Sequence, residues 1–238
     1  MILPRRYWGI LIIYIAAQLL PGVILGVIYH PKLPPQDVGV LWTIVSLALA
    51  TVWIFTLLRK DMAELNHRSG LSTGEIVKWS IIGVFLAYGT QIVANLINIY
   101  VLGIDQGSQN TQEIIQIIEA NMWFILLPIV FAPILEEIIF RKIIFGEIYK
   151  RTNFIIAGLL SALIFAALHM DFTFILTYTA MGFAFAYLYV KTKRIIVPII
   201  AHMAMNAFVV IIQLSVDIED LERQLEDMEN ALMIFFGG

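Results

Sequence analysis

The chain of 238 residues is 60% hydrophobic and only 14% charged, with a formal net charge of −3. That composition lies far outside the range of soluble globular domains and excludes one. With no cysteine, it also excludes disulfides, a thiolate nucleophile and a cysteine-type zinc site.

Several runs of about 18 or more residues are nearly free of charge, the signature of membrane-spanning helices. The pattern predicts spans over roughly 7–29, 39–58, 76–102, 122–145, 154–170, 172–190 and 195–215. The expected fold is therefore all-α, a polytopic membrane helical bundle of about seven transmembrane helices, or eight, with interfacial amphipathic helices. It reads as one integral membrane domain over 1–238, with a core at about 120–210 and an acidic amphipathic tail at 216–238. The first run follows Arg5 and Arg6, but it is too long for a signal-peptide core and lacks a small-residue cleavage site before His30.

The connections carry their own signals. HPKLPPQDV reads as a short Pro-rich turn, and RKDMAELNHRSGLSTGE as a polar link in which Ser72 and Glu75 have capping-box spacing. Between the third and fourth spans, Gln112–Ala120 carries Ile114, Ile115, Ile117 and Ile118, a one-sided pattern suited to a helix in the membrane interface. Gln91, Asn95 and Asn98 share a face of the third span, either lining a polar cavity or joining helices by hydrogen bonds. Gly158, Ala162 and Ala166, and Gly182 with Ala186, permit close helix–helix approach. The tail, Asp217–Glu229, spaces Ile218, Leu221, Leu225, Met228 and Leu232 as an amphipathic helix.

Charge asymmetry sets an expected orientation. With the N-terminus cytoplasmic, 13 of the 15 Lys and Arg residues fall on cytoplasmic segments, and only Lys32 and Arg223 fall outside. The expected location is a cell membrane.

Chemistry concentrates in FAPILEEIIFR, residues 131–141. Glu136 and Glu137 stand in an apolar run, and an ionisable group at membrane depth points to function. Neighbours on a helix point about 100° apart, so the two carboxylates serve different roles. Glu137 lies four residues before Arg141, the favourable ion-pair spacing. Glu136 has no local cation, which suits it to general-base work. Pro128 and Pro133 each free a backbone carbonyl that protein or water must satisfy.

Two histidines complete the set. From the turn Arg151–Asn153, 15 residues lead back to Glu136 and 16 lead on to His169. Both side chains then lie roughly 22–24 Å from the turn, level on neighbouring helices. His169 shares its face with Phe165. His202 and Asn206, at i and i+4, offer two donors aimed at one point, as an oxyanion hole requires.

The three pieces, Glu136-Glu137-Ile-Ile-Phe-Arg141, Phe165-Ala-Ala-Leu-His169 and His202-Met-Ala-Met-Asn206, resemble the EExxxR, FxxxH and HxxxN motifs of the CPBP family. These are the CAAX-protease and bacteriocin-processing (Abi) intramembrane proteases, and the likeness is to their compact bacterial branch. The resemblance implies an intramembrane endopeptidase acting on a peptide or membrane-protein substrate within the lipid bilayer. Glu136 and His169 would activate water, His202 and Asn206 would hold the oxyanion, and Glu137, Arg141 and Phe165 would support them. No cofactor and no nucleic-acid partner are expected. A zinc-dependent peptidase using Glu136, His169 and His202 as ligands is the first alternative. A non-enzymatic scaffold or transporter is the second, although no paired half-helices or internal repeat of the transporter kind occur.

Overall fold

The computed structural model describes residues 3–27, 35–104 and 107–215. Among them there is no strand: the chain is an all-α polytopic membrane bundle. Its helices are α1 (Arg5–Val27), α2 (Pro35–Ser69), α3 (Thr73–Tyr100), α4 (Gln109–Ala120), α5 (Met122–Tyr149), α6 (Phe154–Leu168), α7 (Phe172–Thr192) and α8 (Ile196–Ser215). The acidic tail, Asp217–Glu229, and most of the Pro-rich turn before α2 lie outside the described residues.

Five of these helices, α2, α3, α5, α7 and α8, are long and apolar enough to cross a membrane. The expected count of seven spans is not established by that measure. At 15 residues, α6 is only about 22 Å long against roughly 30 Å of hydrocarbon. The second helix outruns its expected span of 39–58. The polar link after the second span is helical as far as Ser69, which makes α2 a 35-residue helix. Lys, Met, Ala, Glu and Leu are good helix formers, so the helix propagates through its charged end. It stops at Gly70, whose φ of 61° is open to glycine, and only Gly70–Ser72 separates α2 from α3. The Ser72–Glu75 capping box forms in both directions, with backbone-to-side-chain distances of 3.0 and 3.3 Å.

The bundle is built around α5. Leu135, Ile138, Ile143 and Phe145 are fully buried within it, and Leu135 and Ile138 pack with Ile10 of α1 and Ile54 and Leu58 of α2. A second apolar cluster joins Ala87 of α3 to Phe185 and Leu188 of α7 and Ala201 of α8. Large apolar side chains such as Ile12, Leu49, Trp53 and Phe85 point outward, where lipid rather than water solvates them. The small residues of α6 and α7 are close-packing sites: a Cβ at Gly182 would lie 2.7 Å from Ala162 Cβ.

Apart from a 3₁₀ turn at Phe172–Phe174 that opens α7, the departures from α geometry among the described helices lie in α5, which changes register repeatedly. It opens as a 3₁₀ turn at Met122–Ile125, widens to π-helix at Leu127–Phe131, returns to α at Ala132–Glu136, and widens again at Glu137–Phe145. Each i→i+5 turn inserts a residue relative to α geometry and re-aims what precedes it, a feature that recurs at functional sites.

Candidate active site

A cavity of about 920 Å³ opens inside the bundle. Glu136 of α5, His169 at the end of α6, and His202 and Asn206 of α8 all line it. Tyr14 of α1, Gln91, Asn95 and Asn98 of α3, and Tyr178 of α7 extend its polar wall.

The register change in α5 falls between its two glutamates. Glu136 ends the α turn and lines the cavity, and among the described residues it accepts no hydrogen bond. His202 Nε2 lies 3.8 Å from its Oε2. Glu137 opens the π turn and is fully buried behind the cavity wall. Its Oε2 is 3.1 Å from Arg141 Nε, and its Oε1 accepts from His202 Nδ1 at 3.0 Å. Because a carboxylate only accepts, Nδ1 of His202 carries the proton and Nε2 is the nitrogen turned toward Glu136. Arg141 is itself buried, and among the described residues its guanidinium finds no oxygen for either terminal nitrogen. It lies instead over the Phe165 ring, 4.6 Å from the centroid, with Phe185 at 5.4 Å. Phe185 also stacks on His202, with 4.7 Å between centroids. Arg141, Glu137 and His202 thus form one buried relay across α5 and α8.

His169 ends α6. Its Nδ1 donates to the Phe165 carbonyl at 2.8 Å, which leaves Nε2 with a free lone pair. Phe165 meets the imidazole edge-on at 4.5 Å, and Tyr178 stacks against it at 4.2 Å. Immediately after, Met170 takes a left-handed φ of 56°, an uncommon conformation for a side chain that costs about 1–3 kcal/mol and persists where surroundings enforce it. Here the surroundings are a polar knot: Ser108 Oγ donates to Asp171 at 2.7 Å, and Asn110 Nδ2 donates to the Tyr178 hydroxyl at 3.2 Å. The knot ties the start of α4 to the histidine turn. As a consequence the apolar face of α4 turns inward, with Ile114 and Ile115 lining the cavity and Ile118 buried. Neither Tyr178 nor this knot was among the residues expected from sequence. Tyr178 sits nine residues past His169 in an aromatic-rich helix, with no spacing to mark it.

Asn206 has a second task. Its Nδ2 donates to the Pro128 carbonyl at 2.8 Å. At this point α5 runs in π register, with Ala132 N bonded to Leu127 O, so the Pro128 carbonyl would pair with the N–H of residue 133, which is a proline. Asn206 supplies the missing donor, and its remaining amide hydrogen is available to the cavity.

A metal would have to be held by Glu136 and the Nε2 atoms of His169 and His202. Among the described residues no three His, Asp or Glu side chains are grouped closely enough to hold one. As placed, the three side chains are not grouped around one point, and no step below passes through a metal.

Fold and site together define an integral membrane protein with carboxylate and imidazole groups around an internal cavity. The model of the Rce1-like family, described as type II CAAX prenyl endopeptidase Rce1-like, matches residues 118–208, which hold every site residue named in the three motifs. The chain is 40% identical to the "Putative membrane peptidase YdiL" of Bacillus subtilis (strain 168), over 98% of each protein. It is 36% identical to the "Membrane-embedded CAAX protease MroQ" of Staphylococcus aureus (strain USA300), over 97% of this chain and 98% of that one. A shorter likeness, 35% over 80 residues, links it to "UPF0177 protein YxdF" of Lactococcus lactis subsp. lactis (strain IL1403), covering 33% of this chain and 44% of that protein. No solved structure matches. The chain belongs to the Rce1-like CAAX protease family of membrane peptidases.

Proposed function

We propose that the chain is an intramembrane endopeptidase of glutamate-dependent type. The observation that carries this reading is that Glu136, His169, His202 and Asn206, from three helices, line one cavity. Glu136, assisted by Nε2 of His169, takes a proton from a water molecule, and the hydroxide attacks a peptide carbonyl carbon. Asn206 donates its remaining amide hydrogen to the developing oxyanion, and His202 donates from Nε2 when that nitrogen is protonated. Collapse of the tetrahedral species breaks the C–N bond. Glu136 then returns its proton to the leaving amine, giving a free amine and a carboxylic acid, which loses its proton to solvent on release. Glu137, anchored to Arg141, fixes the orientation of His202 by holding its Nδ1.

Mass spectrometry of membrane-associated peptides from cells with wild type or Glu136→Gln tests the assignment. Products present with wild type should vanish with the variant, which cannot take up a proton. Removing one oxyanion donor, as in Asn206→Ala, should slow cleavage roughly 10²–10³-fold. Near-normal cleavage by Glu136→Gln would sink the assignment of Glu136, whereas peptide profiles unchanged by the presence of the wild-type protein would favour a scaffold or transporter role. Metal independence is part of the reading: elemental analysis of the active protein should find no stoichiometric zinc, and chelator should leave the rate unchanged.

A further inference from the structure

Helix α1 carries none of the three motifs, yet one of its side chains reaches the site. Tyr7, Ile10, Tyr14 and Ala17 share the face of α1 that packs inward. Tyr7, Ile10 and Ala17 are closed off, at 4%, 0% and 4% exposed. Tyr14 is only half-buried, and it lines the cavity that holds Glu136. The register of the helices agrees. Tyr7 interacts with the charge of Glu147, and Tyr14, two turns on, with that of Glu136. Helix α1 therefore runs antiparallel to α5 and brings Tyr14 level with the glutamate.

The attacking water needs a donor. Glu136, as the base, only accepts, and Nε2 of His169 presents a lone pair. A water that gives its two hydrogens to these groups keeps two lone pairs. One attacks the peptide carbonyl, and the other calls for a hydrogen. Two phenols feel the charge of Glu136, Tyr14 and Tyr178. Tyr178 is already committed. Ser108 gives its one hydrogen to Asp171, so in the 3.2 Å contact between Ser108 and Tyr178 the phenol is the donor. Tyr14 bonds Gln18, one turn further along α1. With the Gln18 amide donating to the phenol oxygen, the Tyr14 O–H stays free for the cavity.

Resting on the peptidase reading above, we propose that Tyr14 is a further catalytic residue, whose hydroxyl donates to the water held by Glu136 and His169. The bond aims the attacking lone pair and steadies the hydroxide as its proton leaves for Glu136. Tyr14 keeps its own proton throughout, so the balance of the hydrolysis is unchanged.

Purified wild type, Tyr14→Phe and Tyr7→Phe are compared on the peptide most rapidly cut from a library of synthetic peptides, with Glu136→Gln as background. Tyr14→Phe removes one oxygen and keeps the ring, so its unfolding midpoint and KM should stay near wild type. Its kcat should fall roughly 10–100-fold, the worth of one hydrogen bond to a developing charge. Tyr7→Phe makes the same change on the same face, where the hydroxyl bonds Asp61 at 3.4 Å and lines no part of the cavity. Its kcat should match wild type. An unchanged kcat in Tyr14→Phe, a loss confined to KM, or an equal fall in Tyr7→Phe overturns the inference and leaves the peptidase assignment standing. Absence of any cut by wild type above background sinks the peptidase assignment, and the inference with it.

Discussion

Glu137 and Glu136 are neighbours in sequence with opposite burdens, and their amide variants should separate. Glu137 is fully buried and holds both Arg141 and His202. Glu137→Gln would leave the Arg141 guanidinium without its counter-charge, and stripping one partner from a buried pair costs about 3–5 kcal/mol. Its thermal unfolding midpoint in detergent should fall well below wild type, with loss of activity following from a misplaced His202. Among the described residues the Glu136 carboxylate has no polar partner closer than 3.8 Å, so Glu136→Gln should unfold near the wild-type temperature while cleaving nothing. If the two midpoints coincide, the division of labour between structural and catalytic carboxylate is wrong. At this scale much was legible beforehand: an ion pair at i, i+4 and a glutamate without a local cation are statements about spacing. The hydrogen bond from Asn206 to Pro128 was not, because 78 residues separate them and the demand for a donor arises only from the π register of α5.

Helices report their ends and their faces in sequence, but not their internal register. The caps at Ser72, Ser108 and Asn153 form as local side-chain chemistry requires, each accepting from a backbone N–H three residues on. The charged end of α2 reads as a loop only when charge is taken as a breaker; its residues are helix formers. The two π segments of α5 leave no mark in composition, since they depend on neighbours that satisfy the altered backbone, among them Ser161, whose hydroxyl donates to the Phe140 carbonyl at 2.8 Å. Packing between elements is testable through glycine. Gly182→Ala would set a methyl 2.7 Å from Ala162 Cβ, and Gly158 faces the Phe183 ring just as closely, at 2.6 Å. Overpacking of this kind typically costs about 1–3 kcal/mol, so Gly182→Ala should lower the unfolding midpoint. Gly89→Ala, in a helix with nothing within 4 Å of the new methyl, should hold or raise it.

For the whole molecule, the site depends on which way the bundle sits. Lys and Arg cluster at the ends of α2, α5 and α7 and at the start of α1, ends that alternation of antiparallel helices places on one side. By the positive-inside rule that side is expected to be cytoplasmic. The same bias was readable from sequence, whereas the gathering of Tyr178, Ser108 and Asp171 around His169 was not, since it needs α4 folded back over the cavity. Because the chain has no cysteine, single cysteines report orientation directly. Thr152→Cys lies in the exposed turn between α5 and α6, and Leu102→Cys, 56% exposed, lies past the other end of α3. A membrane-impermeant maleimide on intact cells should label Leu102→Cys and should reach Thr152→Cys only after permeabilisation. The opposite pattern would invert the bundle. With the expected pattern, the knot at Ser108 and Asp171 stands at the outer end of α6, so the cavity and Glu136 would be reached from the outer half of the bilayer, and peptides supplied outside the cell would be cleaved without crossing it.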